Sequence, residues 1–324
     1  MHIKIIGLHA PNADLLRARL DAHHTVEALT VFPVEGELHA DAVITNELTA
    51  DEAARLRCAL LQVPGAGADK IALDALSPAC TVCNVHGHEV PIAEFVTHAV
   101  LEHVLQPWRL PARLDQQTWP AAYARRPQHA EAAGQTVAIV GFGHIGQALA
   151  TRLQALDMAV IAVTRSGRPG ALAGVRYAAV DTLHEVLAQT DALVLCCPLD
   201  DSTRGLIDRA ALARLKPGAL LVNVARAQVV DEQALFDALS SGVLGRAVLD
   251  VWYRYPTGPG DTQGPSTLPF HTLPNVRATP HVSAMTPGLL QRRYDFMAQN
   301  LTRWHAGDAL QNVIRQATGR ATPP

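Results

Sequence analysis

The sequence predicts an α/β protein made of two Rossmann-like doubly wound domains, and three observations carry that expectation. Short apolar runs alternate regularly with helical patterns from 136 to 278, as buried parallel strands joined by crossover helices do. A shorter alternation of the same kind opens the chain. Between them, Thr136-Val137-Ala138-Ile139-Val140 runs straight into Gly141-x-Gly143-x-x-Gly146 and then into a helical pattern, the context that marks a dinucleotide loop rather than a chance glycine triplet. With 324 residues, 48% of them hydrophobic, the chain has material for two cores.

Taken in order, a strand at 2–7, a helix at 13–23 and strands at 42–45, 60–63 and 80–85 form the first unit. Phe95, Val96, Val100, Leu101, Val104 and Leu105 recur at helical spacing, so a long helix at 93–110 is expected to cross between domains. Pro107 ends or kinks it. The regular part then reads as strand 136–140, helix 145–156, strand 159–163, helix 183–189, strand 192–196, helix 209–215, strand 219–224, helix 232–239 and strands 246–249 and 276–278. The Pro- and Gly-rich stretch 255–269 is a loop. A last amphipathic helix at 289–304 is expected to return to the first domain, and the tail Ala321-Thr322-Pro323-Pro324 to fray. The domains are therefore expected as 1–97 plus 285–324, a flavodoxin-like substrate domain, and 98–284, a dinucleotide-binding domain.

Composition narrows the partners. A net charge of −3 with interspersed signs gives no footprint for nucleic acid or a membrane surface. The opening residues lack the apolar core of a signal peptide, and no predominantly apolar run reaches the roughly 18 residues of a membrane span. A cytoplasmic protein acting on small molecules is expected. Five cysteines fit reduced thiols; Cys80-x-x-Cys83 has no second pair and sits in a strand, and the 15 histidines are scattered, so no metal is expected.

Each glycine of the loop has its own task. Gly141 permits the tight turn, Gly143 lets backbone approach a pyrophosphate, and Gly146 lets the helix pack on the strand, while Phe142, His144 and Ile145 complete the loop and helix start. Some 20 residues further on, NAD enzymes place an acid for the ribose hydroxyls. Here Thr164 stands there, and Arg165, Ser166 and Arg168 suit a 2′-phosphate. This favours NADP(H), with NAD(H) as the second cofactor.

Three blocks end later strands: Leu215 to Arg226, Val248-Leu249-Asp250-Val251-Trp252, and Thr279-Pro280-His281-Val282-Ser283. Their order and spacing, with the glycine loop, resemble the D-isomer-specific 2-hydroxyacid dehydrogenases, a family that includes glyoxylate/hydroxypyruvate reductases and phosphoglycerate, formate and phosphite dehydrogenases. The resemblance implies NAD(P)-dependent hydride transfer between the nicotinamide C4 and the 2-carbon of a 2-hydroxyacid or 2-oxoacid, in a cleft between the domains of a homodimer. Arg226 would clamp the substrate carboxylate, and His281 would serve as general acid and base, a task that suits a pKa near working pH. By the same resemblance Asp250 and Ser283 hold the nicotinamide carboxamide. Cys197, Pro198, Thr203, Val224 and Ala225 wall the cofactor site, and Ala66 and Gly67 of the Gly65 to Asp69 turn receive the substrate carboxylate.

The departures are informative. Tyr255 stands where the family carries the Glu or Gln that hydrogen-bonds the catalytic histidine. A phenol orients an imidazole but does not raise its pKa as a carboxylate does, so the pH optimum for reduction is expected lower than in glutamate-bearing relatives. Ala227 replaces a glycine, at about 1 kcal/mol if that position needs positive φ. His88 occupies the place of the asparagine that binds substrate in formate dehydrogenases, and with Trp252, Tyr253 and Met285 is expected to shape the substrate pocket. Two other readings stay open: a small-oxyanion dehydrogenase on the same fold, and a dinucleotide-sensing regulatory protein.

Overall fold

The computed structural model describes residues 1–111, 113–256, 258 and 260–318. The tail expected to fray lies outside them. The chain forms two compact units, Met1–Gly87 with Thr286–Pro324, and His88–Met285.

In the second unit seven strands among the described residues form one parallel sheet, in the order Val175–Ala179, Ala159–Thr164, Thr136–Val140, Ala192–Leu195, Leu220–Asn223, Arg246–Leu249 and Val276–Ala278. Numbered along the chain this is 3-2-1-4-5-6-7, the doubly wound order, with its reversal between Thr136–Val140 and Ala192–Leu195. Alternate side chains face opposite ways along a strand. Val137 and Ile139 meet Leu149 and Leu153 of helix His144–Gln154 and Val96 and Val100 of helix Glu89–Leu105; Ala138 and Val140 lie in the core of the other face with Val186, Leu212 and Leu235. Both faces are buried, which is why these strands read as unbroken apolar runs. The helix expected at 93–110 is Glu89–Leu105, stopped by Gln106 in the left-handed conformation (φ 48°) just ahead of Pro107.

Among the described residues the first unit has a six-stranded sheet, in the order Val313–Arg315, Thr81–Cys83, Leu60–Gln62, Ala42–Ile44, His2–Ile6 and Thr25–Leu29, and a separate short pair of Leu38–His39 with Leu56–Arg57. All pairings are parallel except that of Val313–Arg315 with Thr81–Cys83. Helix Pro287–Ala306 packs Tyr294, Met297 and Leu301 against Ile3, Ile5, Ile44 and Leu60. Its Asn300, 1% exposed, donates to Gln62 Oε1 (2.9 Å) and the Gln311 carbonyl (3.2 Å) and accepts from Gln311 N–H (2.9 Å). Gln62 in turn donates to the carbonyls of Val63, Cys83 and Asn84 at 3.2–3.3 Å. A polar pair at the centre of an apolar layer thus fixes where the last helix sits.

Sequence reading passes over Thr25–Leu29 and Val175–Ala179 because both are sheet edges: none of their side chains is fully buried, and a charged residue interrupts each. Helix Ala50–Arg55 is also missed, although Thr49 and Glu52 spell a capping box that the structure contains in full. The first helix is Ala13–Arg17, shorter than 13–23.

Replacing Asn300 with alanine leaves Gln62 Oε1 unpaired in the core and removes the bond to Gln311 N–H at the layer's edge. The expected loss is about 2 kcal/mol of unfolding free energy, from one buried group at roughly 1–3 kcal/mol; urea unfolding checks it, and a loss under about 0.5 kcal/mol would show that the pair is not a constraint.

Candidate active site

The carboxyl ends of the central strands are tied to one another one residue beyond the sheet. Gly141 N–H donates to Val163 O (2.9 Å), Cys196 N–H to Val140 O (2.8 Å), Asp250 N–H to Asn223 O (3.1 Å) and Thr279 N–H to Leu249 O (3.0 Å). The segments that carry the expected site residues are therefore latched to a rigid edge, and the glycine loop lies at the reversal of strand order, where such sheets bind ligands.

The glycines differ as their tasks require. Gly141 has φ +89°, and a Cβ there would come within 2.6 Å of Cys197 N and Cα. At Gly146 a Cβ would reach Gly141 O at 2.6 Å and Ile139 Cγ2 at 3.3 Å, so the helix packs on the loop as well as on the strand. At Gly143, which caps helix His144–Gln154, a Cβ would meet nothing within 4 Å. Two glycines close the turn, and the third leaves its outer side open for a phosphate to approach backbone. Gln147 fastens the loop by donating to Phe142 O at 3.1 Å; His144 is exposed and Ile145 half-buried.

Thr164 Oγ1 accepts from Gly167 N–H at 3.0 Å, and Ser166 Oγ faces Arg168 N–H at 3.4 Å, bending the 164–168 segment into a tight turn. Arg165 is 83% exposed and reaches Asp200 Oδ2 at 3.5 Å. An acid is thus near this turn after all, brought by a different strand end. Asp200 also accepts from Ser202 and Thr203, and those bonds hold its carboxyl below the ordinary range, the Ser202 hydroxyl first. Thr203 Oγ1 donates to Pro198 O at 2.8 Å. Burial pushes the Cys197 thiol up to about 11 and raises Cys196 as well, so both are protonated packing groups.

Asn223, missed in the sequence, shapes the arginine segment. Its Oδ1 accepts from Ala225 N–H and its Nδ2 donates to Arg226 O, both at 3.0 Å, an Asx-type bracket whose signal is an asparagine at a strand end. Val224 and Ala225 are buried, so backbone is what they offer; Ala225 O accepts from Arg226 Nη1 at 2.8 Å. Ala227 starts a short 3₁₀ turn without positive φ, so the feared backbone cost is absent.

Asp250, fully buried, accepts at Oδ1 from Thr279 Oγ1 (2.6 Å) and Val282 N–H (2.8 Å) and at Oδ2 from Ser283 N–H (2.9 Å). The residue expected to hold nicotinamide thus organises the 279–283 loop. Within that loop His281 has φ +59°, strained for a residue with a side chain, and bonds on both sides hold it there. His281 Nδ1 lies 2.8 Å from Tyr255 Oη, which also accepts from Trp252 N–H at 3.3 Å. Tyr255 and His281 therefore meet as the sequence reading expects.

The pocket expected from Trp252 and Tyr253 needs correcting. Trp252 is 7% exposed in the core, and its indole N–H donates to Thr279 O at 2.8 Å, bracing the histidine loop from beneath. Tyr253 donates to Val230 O at 3.0 Å, and burial raises its pKa. Met285 stays exposed, and His88 precedes helix Glu89–Leu105. In the first unit, Asn84 Nδ2 holds Ala66 O at 2.8 Å beside exposed Gly67.

A family model described as D-isomer specific 2-hydroxyacid dehydrogenase, NAD binding domain, matches residues 98–283. The chain belongs to that family. It is an NAD(P)-dependent oxidoreductase by membership. Glyoxylate/hydroxypyruvate reductase B of Pectobacterium carotovorum is 32% identical over 326 aligned residues, covering 95% of this chain and 96% of that one. Among solved structures, the NADPH-dependent glyoxylate/hydroxypyruvate reductase of Sinorhizobium meliloti, in complex with NADP and sulfate, is 25% identical with a TM-score of 0.75, covering 97% of this chain and 98% of that one. A family member from Xanthobacter autotrophicus Py2, in complex with NADPH and MES, is 27% identical with a TM-score of 0.72, covering 96% and 97%. No helix among the described residues is long and apolar enough to cross a membrane.

Gly141→Ala forces an L-residue into positive φ against the Cys197 backbone. NADPH affinity, read by quenching of protein fluorescence, is expected to fall at least about tenfold (~1.4 kcal/mol); unchanged affinity would remove the loop from the cofactor site.

Proposed function

We propose that this dehydrogenase is a reductase of small 2-oxoacids that prefers NADP(H), with His281 as general acid, Arg226 as carboxylate clamp and Tyr255 as the residue that orients His281. The observation that carries the reading is the 2.8 Å contact between Tyr255 Oη and His281 Nδ1 on a loop held by Asp250. The Tyr255 oxygen accepts from Nδ1–H both of the imidazolium and of the neutral tautomer that remains once Nε2 has given up its proton. The contact therefore serves both protonation states, and in each the opposite nitrogen, Nε2, faces the substrate.

When bound, the nicotinamide cofactor supplies the hydride to the substrate's 2-carbon. His281 gives its Nε2 proton to the carbonyl oxygen, and its exposed ring regains one from water. The Arg226 fork binds the carboxylate through two parallel hydrogen bonds and draws electron density from the adjoining carbonyl. The open side of the Gly141 to Gly146 loop suits the pyrophosphate, and Arg165, Ser166 and Arg168 suit a 2′-phosphate, which would displace the long, solvent-screened Arg165–Asp200 contact. Val224, Ala225, Cys197, Pro198 and Thr203 line the cofactor's path, with Ser283 toward the nicotinamide. The names of the relatives from Pectobacterium and Sinorhizobium support a 2-oxoacid substrate, and the NADP and NADPH in the Sinorhizobium and Xanthobacter structures support the cofactor preference. A second copy of the chain is the proposed partner: Trp108, Leu110, Leu114, Trp119 and Tyr123, each about half exposed, offer apolar area of the kind that dimers bury.

The first test is initial rates against glyoxylate, hydroxypyruvate, phenylpyruvate and oxaloacetate with each cofactor. Turnover faster with NADPH is expected, falling at least about 100-fold in His281→Ala, with the NADPH advantage narrowed in Arg165→Ala. Cofactor binding without turnover of any 2-oxoacid would favour oxyanion oxidation or sensing.

Tyr255→Glu places a carboxylate beside His281. The alkaline limb of the reduction rate profile, where His281 loses its proton, should move up by about one pH unit, whereas Tyr255→Phe should lower kcat and leave the KM for NADPH unchanged. An unmoved profile in the glutamate variant would remove His281 as the titrating acid.

A further inference from the structure

Three imidazoles come together in the first unit, among residues that the reductase chemistry does not use. His23 and His24 stand edge to face with ring centroids 4.0 Å apart. His305, in the last turn of helix Pro287–Ala306, faces His24 at 4.9 Å and His23 at 6.0 Å. One ligand nitrogen from each of the three lies within 4.8 Å of the other two.

The backbones that carry them are fixed. His24 N–H donates to Asp21 O at 3.0 Å and Thr25 starts a sheet strand, so the turn is set on both sides. The helix end is closed by Gly307 in the left-handed conformation, and Leu20 and Trp304 pack on one core cluster. Arg19 pairs with Asp295 at 2.6 Å, tying the same two segments. Only side-chain rotation is then needed to contract the trio. Zinc at ~2.0–2.1 Å from each nitrogen in tetrahedral geometry holds nitrogens ~3.3 Å apart, so the rings must close by about 1.5 Å, within the reach of exposed side chains.

The Met1 amino group lies 3.0 Å from His24 Nδ1 and fixes the orientation of that ring.

We propose that His23, His24 and His305 form a binding site for a divalent transition-metal ion of the zinc class, clipping the end of the last helix to the turn before the second strand. Three imidazoles supply three of four tetrahedral positions, and water completes the shell. The ion takes no part in hydride transfer; it ties two segments that are remote in sequence.

The test uses the full-length, untagged chain, freed of metal with chelator and titrated with zinc chloride by calorimetry, with the melting temperature followed in parallel. Wild type is expected to bind one zinc at these residues with micromolar affinity and to melt a few degrees higher with zinc present. His23→Ala and His305→Ala, both at exposed positions, should each weaken that binding at least about tenfold, abolish the rise in melting temperature and keep wild-type reductase rates. Equal zinc affinity and stoichiometry in wild type and both variants, or no binding by wild type, would overturn the proposal and leave the trio as a stack of rings.

Discussion

Asp250 sits fully buried at the end of an interior strand, and a carboxylate there is costly unless donors surround it. The donors it finds are the Thr279 hydroxyl and the amides of Val282 and Ser283, which flank the histidine. Satisfying that one charge therefore folds the 279–283 segment around a single shape, and the shape sets His281 at positive φ. The strain at His281 is small beside the cost of stranding a buried charge, so the strained conformation persists. Trp252 adds a brace from below by capping Thr279 O, and Tyr255 adds one from outside.

The parallel sheet supplies what this arrangement needs, a rigid edge on which several segments end together. Strands buried on both faces cannot slide without turning apolar side chains toward polar surroundings, so the register of the central strands is fixed by packing. The hydrogen bonds that continue past the last ladder rungs carry that precision into the loops. Gly141 shows how tight the fit is, since its turn runs so close to Cys197 that even a methyl group is excluded. The cysteines there are consistent with the same demand: small, protonated and buried, they let two strand ends approach.

Tyrosine in place of a carboxylate beside the histidine changes the electrostatics more than the geometry. A phenol holds the ring by accepting from Nδ1–H in either charge state, but it brings no negative charge to stabilise the imidazolium. The loop that carries Tyr255 is thus free to be built for packing and orientation, with Trp252 and Tyr253 turned into the core and only Tyr255 left at the histidine.

The sequence by itself determined the doubly wound architecture of the nucleotide unit and the glycine turn, and its resemblance to a family pointed to the meeting of Tyr255 with His281. The first two are written locally, in apolar runs and in two glycines, Gly141 and Gly146, that nothing larger can replace. It left unread the edge strands Thr25–Leu29 and Val175–Ala179, neither of which has a fully buried side chain. The loop-holding task of Asp250, the inward turn of Trp252 and the approach of Asp200 to Arg165 were decided only by the tertiary structure. So was the meeting of His305 with His23 and His24. In each of these cases the partners come from different segments, and which donor meets which acceptor depends on how those segments pack, information that no local pattern carries.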